Sequence, residues 1–211
     1  MENRLKEILL TIARDGSPDT EAEKAAADRQ KVLAKPTGAL GKLEDISIQM
    51  AGITGRVKNE ISKKAIVIMS ADNGVVEEGV ASAPQSVTLS QTINFTRHFT
   101  GVSSMAKHFG IDLLVVDMGV KLPIPPVLYT DSPSDGGHLT GKIWNRSLGK
   151  GTANLAKEPA MTREQALSAI LTGIEAAGAV RDCGYDIFGV GEMGIGNTTT
   201  SACVLSALTG K

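Results

Sequence analysis

Between Ile187 and Thr199 the chain reads Ile-Phe-Gly-Val-Gly-Glu-Met-Gly-Ile-Gly-Asn-Thr-Thr. An apolar, strand-like run breaks into glycines and one carboxylate, and amide and hydroxyl residues follow before a further apolar segment. Glycines let bare backbone approach a ligand closely, and the unpaired N–H groups of a following helix N-terminus favour a phosphate. Glu192 changes the chemistry. A carboxylate would repel a phosphate lying directly on it, yet it favours a cationic centre held nearby, such as a sugar carbon losing its leaving group. A bare strand-to-helix connection needs neither four glycines nor the run Asn197-Thr198-Thr199.

Two other polar turns follow apolar runs: Ser70-Ala71-Asp72-Asn73-Gly74 and Asp117-Met118-Gly119. In an open parallel sheet, ligands gather beyond the carboxyl ends of the strands, so all three turns could line one crevice. Asp72 and Asn73 fit an Asx turn or helix cap as well as they fit a ligand role, whereas Asp117 reads as a cap. Gly189, Gly191 and Gly194 also spell G-x-G-x-x-G, which makes a dinucleotide-binding oxidoreductase the second hypothesis. That motif expects a ribose-binding acid about 20 residues further on. The sequence reaches only Lys211, and Glu192 would sit against the pyrophosphate, so this reading ranks below phosphosugar chemistry.

The elements that must hold these turns alternate. Leu5, Ile8, Leu9 and Ile12 make an amphipathic helix ended by Gly16-Ser17-Pro18; helices follow over Thr20 to Ala34 and Leu43 to Ile53, separated by the turn Lys35 to Gly41. From Lys64 the texture changes. Ala65 to Met69, Ile111 to Val116 and Asp186 to Val190 are short, continuously apolar runs of the kind buried on both faces of a sheet. Between them lie helical segments Gln85 to His98, Val102 to Phe109 and Thr162 to Arg181, the last opened by a Thr162/Gln165 capping box. The fold class is therefore α/β, a parallel sheet flanked by helices in Rossmann-like layers, preceded by a small helical segment. Residues 1–60 form that segment and 61–211 the α/β domain. Lys121 to Pro159 reads as a long irregular excursion with room for short strands.

Composition narrows the partners. The formal net charge is −1 over 211 residues, with acids and bases interspersed, so nucleic acid is not an expected partner. No run approaches the ~20 apolar residues of a membrane span, and the chain reads as soluble, untargeted and cytoplasmic. Cys183 and Cys203 are isolated and read as two buried thiols, and neither they nor His98, His108 and His138 have metal-ligand spacing. No metal site is expected. Lys63-Lys64 and Arg29-Gln30-Lys31 read as solvated faces.

The chain resembles the nicotinate-nucleotide–dimethylbenzimidazole phosphoribosyltransferase family along essentially its whole length. The resemblance runs through Lys35 to Glu44, Ala71-Asp72-Asn73-Gly74-Val75, Glu78 to Ala81, Gly151-Thr152-Ala153-Asn154, Pro159 to Thr162 and Gly189 to Thr199. It implies a parallel-sheet domain with a small helical domain built from both chain ends, and a homodimer. It also implies transfer of phosphoribose from nicotinate mononucleotide to a benzimidazole-type base, with no cofactor. By the family's pattern Glu192 lies beside the reacting centre, Met193 and Gly194 lie near the ribose phosphate, and Gln91 matches a base-pocket position. Asp72, Asn73, Asn197 and Thr198 complete the substrate-binding set. Ala83 stands where some relatives carry serine, Asn73 where many carry histidine, and Ala39 where serine is frequent. The family's base-deprotonating glutamate lies beyond Lys211, so the resemblance implies an N-terminal portion, one half of a split enzyme, or a non-catalytic nucleotide-binding partner chain.

Overall fold

In the computed structural model, which describes residues 1–210, the chain divides into two compact units, Glu2–Ile61 and the stretch from Ser62 onward together with Met1. The first unit is helical: α1 (Glu2–Asp15), α2 (Thr20–Val32) and α3 (Lys42–Thr54). Asp19 caps α2 by accepting from the Ala22 N–H at 2.9 Å. Small residues bring α2 and α3 together: Ala22, Ala26 and Ala51 form a core with Ile48 and Val57 against it. The apolar stripe of α1 forms as its periodicity predicts, but none of its residues is buried, and Leu9, Leu10 and Ile12 are exposed.

The second unit is built on a five-stranded, all-parallel sheet in the order β3-β6-β2-β1-β7. Its strands are β1 (Lys64–Ala71), β2 (Ile111–Gly119), β3 (Tyr129–Thr130), β6 (Ile143–Asn145) and β7 (Ile187–Met193). A two-stranded ribbon, β4 (Ser134–Asp135) with β5 (His138–Leu139), forms a separate small sheet whose Leu139 packs against the core of the main one. Helices α4 (Ser86–Thr96) and α5 (Gly101–His108) link β1 to β2, α6 (Arg163–Asp182) leads into β7, and α7 (Asn197–Thr209) follows it.

The alternation of side chains along each strand assigns the two faces. Ala65, Val67, Leu114, Val116 and Trp144 pack against Ala176 and Val180 of α6. On the other face Ile68, Val115 and Ile143 meet Phe95 of α4, with Leu89, Ile93 and Met193 against them. The Thr162/Gln165 capping box that opens α6 is closed in both directions, at 2.8 and 3.2 Å.

Two sequence expectations change, and a third gains detail. β7 reads as a strand buried on both faces, yet Phe188 and Val190 on the α6 face and Ile187 on the α4 face are exposed, because β7 is the outer strand of the sheet among the described residues. The excursion 121–159 contributes two strands to the main sheet. Ile143 and Trp144 are buried in β6, a segment of three residues that is too short to carry a periodicity. Cys183 is buried as expected, whereas Cys203 is exposed because it lies on α7, a helix with no buried residue.

Candidate active site

The carboxyl ends of β1, β2 and β7 converge on the three polar turns, and the turn after β7 is fastened to the turn after β1. Asn73 holds it from two sides: its Nδ2 donates to the Ile195 carbonyl at 3.2 Å, and its Oδ1 accepts from Thr200 Oγ1 at 2.8 Å. The Ile195 N–H donates to the buried Thr88 Oγ1 at 3.1 Å, adding an anchor on α4. Gly194 is the point of closest approach, since a Cβ there would overlap the Ala71 carbonyl oxygen. Gly196, the residue before α7, has φ +88, and a Cβ would lie 2.7 Å from Val76 Cγ2. Only glycine satisfies both conditions. Gly196 has no side chain with which to cap α7, and the first N–H of the helix, that of Asn197, donates to the Gly194 carbonyl at 2.9 Å.

Glu192 is a strand residue rather than a loop residue. It pairs with Met69 in the β1–β7 register, which puts it on the face that carries α6, while Met193 turns to the α4 face. The carboxylate is exposed, and Asn197 Nδ2 donates to its Oε1. Asn197 also accepts from the Thr198 N–H at 2.7 Å, so one amide side chain couples the carboxylate to the first turn of α7. The arrangement presents a carboxylate and a helix N-terminus side by side.

Asp72 has a different role from that of a surface ligand. It is 1% exposed, its Oδ2 accepts from the Lys121 N–H at 2.8 Å, and its carbonyl accepts from the Thr152 N–H at 3.0 Å. Its N–H donates to the Gly119 carbonyl at 3.0 Å. Asp72 therefore ties the end of β1 to two loops, and its Oδ1, like Ser70 Oγ, is buried without a hydrogen-bond partner. Beside it opens a charged cleft of about 190 Å³, reached by Lys121, Lys150, Lys157, Glu77 and Glu158. Asp117 caps as its sequence position predicts: its Oδ1 accepts from the Gly119 and Val120 N–H groups at 2.9 and 2.8 Å. Its Oδ2 accepts from the Tyr129 hydroxyl. Burial first, and then the Asp117 carboxylate, push the Tyr129 phenol well above its usual range.

Of the residues named from sequence, Asn73 and Gly194 are brought into direct contact, and Glu192 with Asn197 and Thr198 forms a second group beside them. Gln91 and Ala83 are half-buried, on α4 and in the turn that precedes it. Sequence reasoning does not single out Thr88, Gln85, Thr152 or Thr200. Gln85 Nε2 donates to the Asn73 carbonyl at 2.9 Å, and Thr152 Oγ1 accepts from the Gly74 N–H at 3.2 Å. Only Thr152 carried a signal, through the Gly151-Thr152-Ala153-Asn154 motif. The literal G-x-G-x-x-G does not form a dinucleotide turn, because Gly189 and Gly191 lie inside β7 beside Ile66 and Ile68. Among the described residues, no group of three or more His, Cys, Asp and Glu is placed to hold a metal ion, and no helix is long and apolar enough to cross a membrane.

A parallel sheet flanked by helices, with pinned turns at the carboxyl ends of its strands and a carboxylate beside a helix start, defines an open-sheet α/β protein with a candidate site at those ends. Residues 16–211 match a family model described as phosphoribosyltransferase (DBI_PRT), and the chain belongs to that family. It is 54% identical over 185 residues to the nicotinate-nucleotide–dimethylbenzimidazole phosphoribosyltransferase of Clostridium perfringens, covering 88% of this chain and 47% of the relative. With the Clostridium tetani protein of the same name it shares 48% identity over 198 residues, covering 94% and 51%. The crystal structure of the Thermus thermophilus protein of that name superposes with a TM-score of 0.81 at 38% identity, covering 91% of this chain and 54% of that one. The chain thus spans about half the length of the curated relatives it matches.

Proposed function

We propose that this chain carries the nucleotide-binding half of an enzyme that moves phosphoribose from nicotinate mononucleotide to 5,6-dimethylbenzimidazole or a related base, giving α-ribazole 5′-phosphate and nicotinate. One observation carries the reading: the Glu192 carboxylate, held by Asn197, stands beside the start of α7, which a glycine turn leads into. The phosphate of the mononucleotide lies against the backbone of Met193 and Gly194 and the start of α7, near Thr198. The bond from C1′ to the pyridinium nitrogen breaks and its electron pair leaves with nicotinate. Glu192 then offsets the positive charge growing on C1′. The benzimidazole nitrogen closes the new C1′–N bond, and its proton passes to a general base. By the family's pattern that base is a glutamate beyond Lys211, with Gln91 and Ala83 on the base side and Asp72 and Asn73 supporting the turns.

The coverage of about half of each relative supports a division of labour between this chain and a second half. Residues 1–60 are then this half's share of a small helical domain, and 61–211 an α/β domain that the second half completes. The full-length protein is a cytoplasmic homodimer working on small molecules, with no organic cofactor required by the chemistry. The test is nicotinate release from nicotinate mononucleotide with 5,6-dimethylbenzimidazole, comparing this chain with a version extended to the relatives' length. Release by the extended protein, at least a hundredfold above this chain, is the expected result. No release by the extended protein refutes the reading.

A further inference from the structure

A cavity of about 230 Å³ opens where β2 begins, at the end of the sheet away from the three polar turns. Strand β6 starts at Ile143, opposite Val115, so among the described residues the outer edge of β2 has no strand beside it over residues 111–114. The cavity lies along that gap, with residues 138–142 on its far side. Phe95 and Val115 are buried at its base, whereas His138 and Lys142 are exposed at its rim. From Ile111 to Gly119 the strand runs about 25 Å at ~3.3 Å per residue, so this cavity and the Glu192 region stand at opposite ends of the sheet.

His98 is the unusual residue of the lining. Its φ is +60, and among the described residues it is the only one other than glycine in the left-handed region. It follows the last turn of α4, where its N–H donates to the Phe95 carbonyl at 3.3 Å and the Phe99 N–H donates to the Asn94 carbonyl at 3.0 Å. Glycine is the usual occupant of that position, and a β-carbon there is strained. The imidazole is nonetheless fixed, since Nδ1 lies 3.3 Å from the Ser103 carbonyl oxygen. A carbonyl only accepts, so Nδ1 carries a proton and Nε2 is the nitrogen left for the cavity. The side chains of His138 and Lys142 have no hydrogen-bond or ion-pair partner among the described residues. Asp112, the one acid in the lining, is committed elsewhere. It shares a side of β2 with Leu114 and Val116, and its Oδ2 accepts at 2.5 Å from the hydroxyl of Tyr185, a member of the α6-face cluster.

We infer that this cavity binds a small aliphatic carboxylate, with its chain on Phe95 and Val115 and its oxygens at Lys142, His98 and His138. Lys142 supplies a fixed positive charge, and the imidazoles supply charged donors once protonated. The carbonyl end of α4 favours the imidazolium form of His98. A carboxylate oxygen repels the lone pair of a neutral Nε2, so binding draws a proton onto it and tightens as pH falls through the ordinary imidazole value of about 6.5. Asp112 on β2, His138 on β5 and Lys142 before β6 are the other titratable groups in the lining; α4 and α5 bring none besides His98. The donor set is wrong for a metal ion, since no group of three His, Cys, Asp and Glu is placed to hold one among the described residues. The volume is below the ~300 Å³ at which drug-sized pockets begin, too small for a nucleotide. The inference goes beyond the transfer reading and does not rest on it.

The experiment titrates the chain, with 15N in its imidazole rings, with butyrate on either side of the imidazole value, at about pH 6 and about pH 8. Butyramide is the uncharged isostere, and inorganic phosphate is the anion without an apolar chain. Butyrate shifts the ring nitrogens of His98 and His138 at concentrations that leave His108 unmoved, and its dissociation constant rises at least fivefold from the lower pH to the higher. Butyramide shifts neither ring, and phosphate needs at least tenfold higher concentration. Lys142→Gln raises the butyrate dissociation constant at least tenfold. His98→Gly raises it equally and also raises the thermal midpoint, because glycine takes the left-handed turn without strain; a histidine that served only the turn would leave affinity unchanged. Unshifted His98 and His138 rings would overturn the inference. So would equal shifts with butyramide or phosphate, or wild-type affinity in both variants. Nicotinate release is a separate readout, so failure of one reading is distinguishable from failure of the other.

Discussion

Asn73 grips the β7–α7 turn from both ends, with its amide nitrogen on the Ile195 carbonyl and its amide oxygen on the Thr200 hydroxyl. A single side chain at the end of β1 thus sets the height of the glycine turn over the sheet. Asn73→Ala removes both contacts and lowers stability by about 1–2 kcal/mol, read from urea unfolding. Amide exchange accelerates at residues 195–200 and not in β1; uniform acceleration along the chain would contradict a local clamp.

Two glycines of the same segment separate in their tolerance. At Gly194 an added methyl overlaps the Ala71 carbonyl, whereas at Gly189 the nearest atom is Ile66 Cγ1 at 3.8 Å, an ordinary contact. Gly194→Ala costs about 1–3 kcal/mol and Gly189→Ala much less. Thermal unfolding of the pair checks the order, and equal losses would mean that the turn is not seated as described.

Glu192→Gln in the extended protein lowers kcat by about a hundredfold, in line with loss of a preorganised electrostatic contact, and leaves nicotinate mononucleotide affinity nearly unchanged. Asn197→Ala gives a smaller fall in kcat because the carboxylate keeps its charge and loses only its anchor. Turnover and mononucleotide titration, measured on the same preparations, separate the two effects. A Glu192→Gln protein with full turnover removes the carboxylate from the mechanism.

Burial and Asp117 hold the Tyr129 proton on the phenol beyond the pH at which an unfolded chain releases it. Its contribution is therefore complete below a phenol's usual value of about 10 and is lost as pH rises above it. Tyr185 behaves likewise through burial and Asp112, whose Oδ2 accepts its hydroxyl at 2.5 Å. Tyr129→Phe lowers stability at neutral pH by about 1–3 kcal/mol, since Asp117 loses a donor, and flattens the alkaline limb. Urea midpoints between neutrality and the alkaline range read both effects, and an unchanged alkaline slope would assign the pH dependence elsewhere.

Val190 is 83% exposed on the outer strand of the sheet. Exposed apolar edge strands invite pairing with other chains. Val190→Lys reduces self-association in sedimentation velocity at high concentration and changes unfolding free energy by no more than about 0.5 kcal/mol. Unchanged association would move the sticky surface to α7, where Leu205 and Leu208 are also exposed.

The strands that position the site were legible because buried parallel strands are written as continuous apolar runs; β1 and β2 contain their predicted segments, and β7 contains all of its own but Asp186. α6 was legible from its capping box, which the structure reproduces atom for atom. β6 was not, since a three-residue strand gains its identity from Val115, Val116 and Asp117 beside it. The exposure of β7 was equally invisible, because an apolar run records what a strand can bury and says nothing of whether a neighbour is there. Within the site, Gly194 and Glu192 announced themselves by residue type. Thr88 and Gln85 did not, since Thr88 acts by a hydrogen bond from Ile195 and Gln85 by bonds to Asn73 and Lys121, and neither carries a local motif.

The central position of β1 also governs how a nascent chain would acquire its site. β1 meets β2 through Lys64 and Ile111, whereas it meets β7 through Lys64 and Ile187. Closing the longer connection costs more chain entropy and comes later. A ribosome can therefore release a zipped β1–β2 pair well before the β7–α7 turn is seated, and Asn73 waits with both ends of its amide in water until almost the whole of this sequence has emerged. Translation pauses upstream of Ile187 would lengthen that wait without disturbing the half already built.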